Sequence, residues 1–205
     1  MRDLSARIVT VQGLKHLPPS ALHRVERMLL GDGTCSLENM RRACFAAEGG
    51  NGGVTPRQMS AHGMFDQMRV VLVALNGNEV VGVASLLCMS EACRMLGIPG
   101  ADPDDASCNI LCNLCVAADH RHGRGVGRAL LQAARTHNAR VSSRPMYVGV
   151  ARARDTAPRD IHEFMSTRAN NLETMYRHLH FAPSSERSTP QFTIMVDVAP
   201  RQLTE

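Results

Sequence analysis

Residues 113–134 read NLCVAADHRHGRGVGRALLQAA. An apolar run comes first, then three glycines within five positions (Gly123, Gly125 and Gly127). Val126, Leu130, Ala133, Ala134 and His137 follow at helical spacing. A strand ending near Val116 is thus joined to a helix starting near Gly125 by a glycine-rich turn. The first N–H groups of a helix have no intrahelical partner and point outward, so such a turn makes an anion site. Glycine lets the backbone approach an oxygen-rich group with no side chain in the way. Arg121, Arg124 and Arg128 surround it with positive charge. The segment therefore predicts a phosphate or pyrophosphate cradle built from Arg121, His122, Gly123, Arg124, Gly125, Val126, Gly127 and Arg128. It is not a nucleoside-triphosphate loop, because no lysine followed by serine or threonine closes it. It fits a dinucleotide fingerprint poorly, because Gly127 does not fall three positions after Gly125. A tight turn with solvated arginines is the alternative on local pattern alone.

Working outward, residues 69–88 (RVVLVALNGNEVVGVASLLC) are two apolar runs around Asn76-Gly77, a hairpin signal. Residues 107–117, 144–151 and 190–199 read as further strands, and 6–14 as a first strand. PPSALHRVERMLL (18–30) carries Leu22, Val25 and Leu29 on one face and reads as a capped amphipathic helix. SLENMRRACFAA (36–47) reads as a second helix, EGGNGGV (48–54) as a loop, and 55–68 as a short helix or turn. Residues 89–106 read as a polar connection containing DPDD (102–105). Residues 153–171 read as an excursion with a turn of helix near Ile161–Met165. A helix over 171–181 follows, with Leu172, Met175, Tyr176 and Leu179 on one face. The order implies a single α/β domain over 1–205, a mixed sheet of about six or seven strands flanked by about four or five helices.

The chain has 205 residues and 44% apolar residues, enough for one real core. No apolar run reaches the length of a membrane span and the opening carries no secretory leader, so a soluble, cytoplasmic protein is expected. The net charge of +4 is mild: it permits an anionic ligand without arguing for nucleic acid. Five Phe, two Tyr and no Trp leave little for a base-stacking platform. The arginines are interrupted by glycines and followed by an apolar helix, which suits a compact ligand better than a nucleic-acid face. Seven scattered cysteines do not look like a disulfide framework. Cys112, Cys115, His120 and His122 have zinc-ligand types. However, two cysteines three apart in an extended strand are expected on opposite faces, so no metal centre is predicted.

Residues 113–134 resemble the acetyl-CoA-binding signature of the GCN5-related N-acetyltransferase (GNAT) superfamily, a strand followed by Arg/Gln-x-x-Gly-x-Gly/Ala and an amphipathic helix. Gly125 and Gly127 match the two small positions, Arg124 the basic one, and Leu130 and Leu131 the apolar pair. His122 stands where arginine or glutamine is usual. LETMYRHLHF (172–181) resembles the family's closing motif, Ala-x-x-x-Tyr-x-x-x-Gly-Phe, with Tyr176 and Phe181 matching, Leu172 for alanine and His180 for glycine. EVVGVASL (79–86) is the strand expected before both. The resemblance covers 69–181. It leaves 1–68 as a variable acceptor-side region and 182–205 as a closing strand and tail.

What the resemblance implies is acetyl transfer from acetyl-CoA to a small-molecule or peptide amine, by direct attack in a ternary complex. The pantetheine arm would lie along Leu114, Cys115, Val116 and Ala117, with an N–H near Val116 polarising the thioester carbonyl. Tyr176 would give a proton or hydrogen bond to the departing sulfur; simple core packing is its alternative. Asp119, Glu79, His120, His122 or a water chain could take the amine's proton, and covalent use of Cys112 or Cys115 is chemically open. A non-catalytic acyl-CoA-binding or regulatory module is the competing reading. The family's members often dimerise, so a homodimer is one arrangement it implies.

Overall fold

Strands β2 (Val70–Asn76) and β3 (Glu79–Cys88) form the predicted hairpin, with Asn76 paired to Glu79. The two turn residues are therefore Gly77 and Asn78, one position later than the Asn-Gly signal suggests. Gly77 has φ +62° and Asn78 does not have positive φ, the glycine-first form of a two-residue turn. The computed structural model describes residues 5–9, 17–30, 70–96, 109–121, 125–152 and 159–199. The expected elements over 36–68, the DPDD loop, and His122, Gly123 and Arg124 lie outside them.

In chain order the elements are β1 (Ser5–Val9), α1 (Pro19–Leu30), β2, β3, α2 (Met89–Leu96), β4 (Asn109–Val116), α3 (Val126–Val141), β5 (Tyr147–Ala151), α4 (Arg159–His178), β6 (Phe181–Pro183) and β7 (Phe192–Asp197). The seven strands make one sheet in the order β1-β2-β3-β4-β5-β7-β6. All neighbours are antiparallel except β4 and β5, which run parallel, so the sheet is mixed as the pattern implied. The parallel pair is joined by α3, the crossover that such a connection requires.

Each face of the sheet buries its own cluster. On one, Val25, Met28 and Leu29 of α1 and Met89, Ala92 and Cys93 of α2 pack on Val71, Val73, Val83 and Ile110. On the other, Val126, Leu130, Leu131 and Ala134 of α3 and Ala169 and Tyr176 of α4 pack on Leu72, Ala84, Leu111 and Val148. Alternation along β2 supplies both sets, and each fully buried Leu contributes about 1.5–3 kcal/mol.

Three expectations are corrected. Residues 89–96, read as part of a polar connection, form α2, because Met89, Ala92 and Cys93 give a buried stripe at i, i+3 and i+4. From Arg159 on, the excursion and the helix expected after it are one 20-residue helix, α4, which ends at His178, while 153–158 lie outside the described residues. Its buried Met165, Ala169 and Tyr176 and half-buried Leu172 form a single stripe, although the first half is mostly polar. Finally, Cys112 and Cys115 do not face opposite ways: both pack on the α1 side. The β3–β4 register jumps from Ser85↔Asn113 to Leu86↔Leu111, so Cys112 is the extra residue of a β-bulge. A bulge puts one residue more on one strand and reverses the alternation beyond it.

Candidate active site

Strand β4 has two different halves. Ile110 and Leu111 pair with Tyr147 and Val148 of β5, and the pairing stops there. From Cys112 to Val116 the strand is bonded to β3 but no longer to β5, which leaves an open edge inside the sheet. The direction of the backbone groups follows from one bond: the Ala117 N–H donates to Val81 O at 2.9 Å, toward β3. Alternation then turns the N–H and C=O of Val116 and Leu114 the other way, into the opening. The Val116 carbonyl is met there by Arg121, whose Nε donates to it at 2.9 Å.

A turn of 3-10 helix (Ala118–His120) leads away from β4 and buries His120. Helix α3 then begins at Gly125, whose φ of +72° is in the left-handed region that favours glycine. Among the described residues no side chain caps the start of this helix, and no acidic residue lies in its first turn. The Ala129 N–H reaches Gly125 O at 2.9 Å, so the N–H groups of Val126, Gly127 and Arg128 precede the first intrahelical bond. A Cβ placed on Gly125 would meet nothing within 4 Å, so the bare backbone faces open space. Arg128 is exposed beside it.

Gly82 fixes where this helix end sits. A Cβ there would lie 2.7 Å from Val126 Cγ1 and 2.9 Å from Leu130 Cδ1. Gly82 also pairs with Val116, and a Cβ on Gly127 would lie 3.7 Å from Val116 Cγ2. The start of α3 is thus laid directly on the end of β4, bringing its N–H groups to the mouth of the opening. The strand glycine was the available signal for this contact, since glycine inside a strand marks a bulge or a close approach. The register confirms the bulge, with Ala74↔Gly82 followed by Leu75↔Val80.

Tyr176 lies in the last turns of α4 and is 5% exposed. Its ring meets Phe181 edge-on, with centroids 5.5 Å apart and planes at 69°. The chain leaves α4 through His180, at φ +64° the one non-glycine residue with positive φ among the described residues. Left-handed backbone just past a helix end is the usual place for glycine. This conformation accounts for the family's glycine at the position His180 occupies.

Of the other sequence candidates, Glu79 is ion-paired with Arg24 at 3.0 Å, both about half exposed, and Asp119 is exposed. Cys112 keeps some exposed surface, but its sulfur packs on the α1-side core, and burial pushes the thiol up to about 12. It is a protonated thiol at neutral pH, which argues against nucleophilic use. Although Cys112 and Cys115 share a face, no three His, Cys, Asp or Glu side chains cluster as metal ligands among the described residues. A groove of about 400 Å³ runs beside Glu163, Phe164, Thr167, Arg168, Asn171 and Leu172, all on α4 and none a predicted site residue. Among the described residues no helix is long and apolar enough to cross a membrane.

Solved structures share the fold. An acetyltransferase from Thermus thermophilus is 17% identical with a TM-score of 0.51, covering 96% of this chain and 98% of that one. The PaiA N-acetyltransferase from Thermoplasma acidophilum, in complex with coenzyme A, is 11% identical with a TM-score of 0.53, covering 95% and 98%. An N-acetyltransferase from Staphylococcus aureus Mu50 is 9% identical with a TM-score of 0.50, covering 95% and 97%. No curated protein sequence matches the chain. The profile of the acetyltransferase (GNAT) domain matches residues 67–183, more than half of the chain and all of the elements that frame the opening, and the chain belongs to that family.

Proposed function

We propose that this protein is an acetyl-CoA-dependent N-acetyltransferase, moving the acetyl group to a primary amine by direct attack in a ternary complex. The observation that carries the reading is the uncapped start of α3, bare at Gly125 and seated on the open edge of β4. The pyrophosphate of the cosubstrate suits the N–H groups of Val126, Gly127 and Arg128, and the sequence pattern adds Arg121, His122, Gly123 and Arg124 to the same cradle. Its pantetheine arm suits the edge from Leu114 to Ala117, where Leu114 offers its N–H and C=O and Val116 its N–H, the Val116 carbonyl being taken by Arg121.

In the reaction the amine nitrogen bonds to the thioester carbonyl carbon, the carbon–sulfur bond breaks, and an amide and coenzyme A thiol are formed. An N–H on the open edge stabilises the oxygen that gains charge. The Tyr176 hydroxyl gives its proton to the departing sulfur and is reprotonated from solvent, while the amine's proton leaves to water or a nearby base. The four described cysteines (Cys88, Cys93, Cys112 and Cys115) are not joined to one another in disulfides, which fits a reducing cytoplasmic setting. The competing reading, an acyl-CoA-binding module without turnover, draws on the depth at which Tyr176 is buried and on a β4 without a carboxylate.

Calorimetric titration with acetyl-CoA, followed by a panel of amines assayed for released thiol, tests both. Micromolar binding with thiol release supports the enzyme. Binding with no turnover on any amine favours the module, and no binding by the folded protein defeats both.

A further inference from the structure

A side-chain chain outside the opening runs from β7, the strand next to the sheet's edge, to Tyr176. Arg135 of α3 grips Asp197, the last residue of β7, with two bonds: Nε to Oδ2 at 2.7 Å and a terminal nitrogen to Oδ1 at 2.9 Å. The two side chains are 19% and 11% exposed, so the pair is largely shielded from solvent. The same guanidinium donates to the carbonyl of Leu179, just past the end of α4. It also stacks over Phe181, its carbon 5.1 Å from the ring centroid. Phe181 in turn presents itself to the edge-on ring of Tyr176. Asp197 is itself held, accepting from the Ala199 N–H at 3.1 Å while its own N–H donates to Met146 O at 2.8 Å.

We propose that Arg135 and Asp197 are a positioning pair for Tyr176, holding its ring in the one orientation that serves proton donation. The proposal rests on the acetyltransferase reading above and adds residues that neither sequence motif contains. The physical argument is one of restraint. A guanidinium bound through two nitrogens to a carboxylate is fixed in place, and a ring whose face lies against it is restrained by that contact. Phe181 follows α4 through the left-handed His180, whose N–H donates to Arg177 O at 3.1 Å and whose carbonyl accepts from the Val198 N–H at 2.9 Å, so the backbone there is already held. Arg135 adds two ties from its side chain, to the Leu179 carbonyl and to the Phe181 face, and the second restrains the ring itself. Lysine could keep the charge but not the fork or the flat stack. The pair acts through contact rather than through its field, because the Asp197 carboxylate offsets the Arg135 charge where it arises.

The chain holds two tyrosines and no tryptophan, so Tyr147→Phe leaves Tyr176 as its one phenol. In that background the near-ultraviolet circular dichroism of tyrosine reports how rigidly Tyr176 is held, with no need for activity. Arg135→Met is expected to collapse that band while the far-ultraviolet spectrum and coenzyme A affinity stay within about twofold of wild type. It is expected to lower kcat by about tenfold, no more than Tyr176→Phe itself, with little change in KM for acetyl-CoA. Arg135→Lys should recover part of both signals. If Arg135→Met loses its fold, Asp197→Asn, which keeps the shape and one acceptor, takes its place.

Placed on Tyr176→Phe, the same substitution should cost less than about twofold further, since a residue acting through Tyr176 has nothing left to position. An unchanged tyrosine band overturns the proposal, and so does a kcat loss that multiplies undiminished with Tyr176→Phe. Wild type that binds acetyl-CoA and acetylates nothing would defeat the acetyltransferase reading instead. The tyrosine band would then still decide whether this pair holds the ring.

Discussion

Two places in this chain adopt left-handed backbone next to a helix end, and they treat it differently. Gly125 opens α3 at φ +72° and His180 closes α4 at φ +64°. At the first, the residue is bare and the space around it is empty within 4 Å. At the second, an exposed imidazole side chain is carried at the steric cost that left-handed backbone imposes on any residue with a Cβ. Conformation alone therefore does not demand glycine. What separates the two sites, on the acetyltransferase reading, is that the cosubstrate is proposed to come close to the backbone at Gly125 and not at His180.

The largest test of that contrast is Gly125→Glu, which adds bulk and negative charge where the pyrophosphate is proposed to lie. Acetyl-CoA affinity by calorimetry should fall by about a hundredfold or more; near-wild-type affinity would remove the cradle from the reading. Next, Tyr176→Phe, one helical turn before His180, should lower kcat by about ten- to a hundredfold with coenzyme A affinity held within about twofold. Full activity in a steady-state assay would leave Tyr176 a packing residue only. Gly82→Ala pushes a methyl group against Val126 and Leu130 beneath the start of α3. Denaturant unfolding should show a loss of about 1–3 kcal/mol, and acetyl-CoA should bind more weakly because the helix end is lifted from β4. The smallest effect belongs to the other helix end: His180→Gly should raise stability by about 1 kcal/mol, with acetyl-CoA affinity unchanged. A thermal melt that shows destabilisation would mean that the imidazole makes a contact worth more than the strain it carries.

The elements that sequence made legible are those whose signals are local. The hairpin is announced by glycine and asparagine between apolar runs, and the β4–α3 unit by a strand, a bare turn and a helical stripe. The first half of α4 lacks such a signal. Its buried positions, Met165 and Ala169, are set among charged and polar residues, and one small alanine weakens the periodicity that marks a buried face. The bulge at Cys112 carries no glycine or proline, so the reversal of alternation that brings Cys115 to the same side could not be read. The grip of Arg135 on Asp197 joins residues 62 apart in sequence, with nothing nearby in either segment to couple them. Their meeting depends on where α3 and β7 are laid down, which only the folded sheet decides.

The break between β4 and β5 has a consequence for what the protein must avoid. Sheets usually end at their borders, where a stray strand from another molecule can add itself and start aggregation. Here a row of bonding groups lies in the middle of the sheet, flanked on both sides by strands of the same layer. A polypeptide strand entering there would project its side chains onto both faces of the sheet, where α1 and α3 are already packed. A slender arm with amide groups but no side chains meets no such obstacle. On the acetyltransferase reading, the gap would thus favour a thin guest over the commonest competitor in a crowded solution, another protein chain.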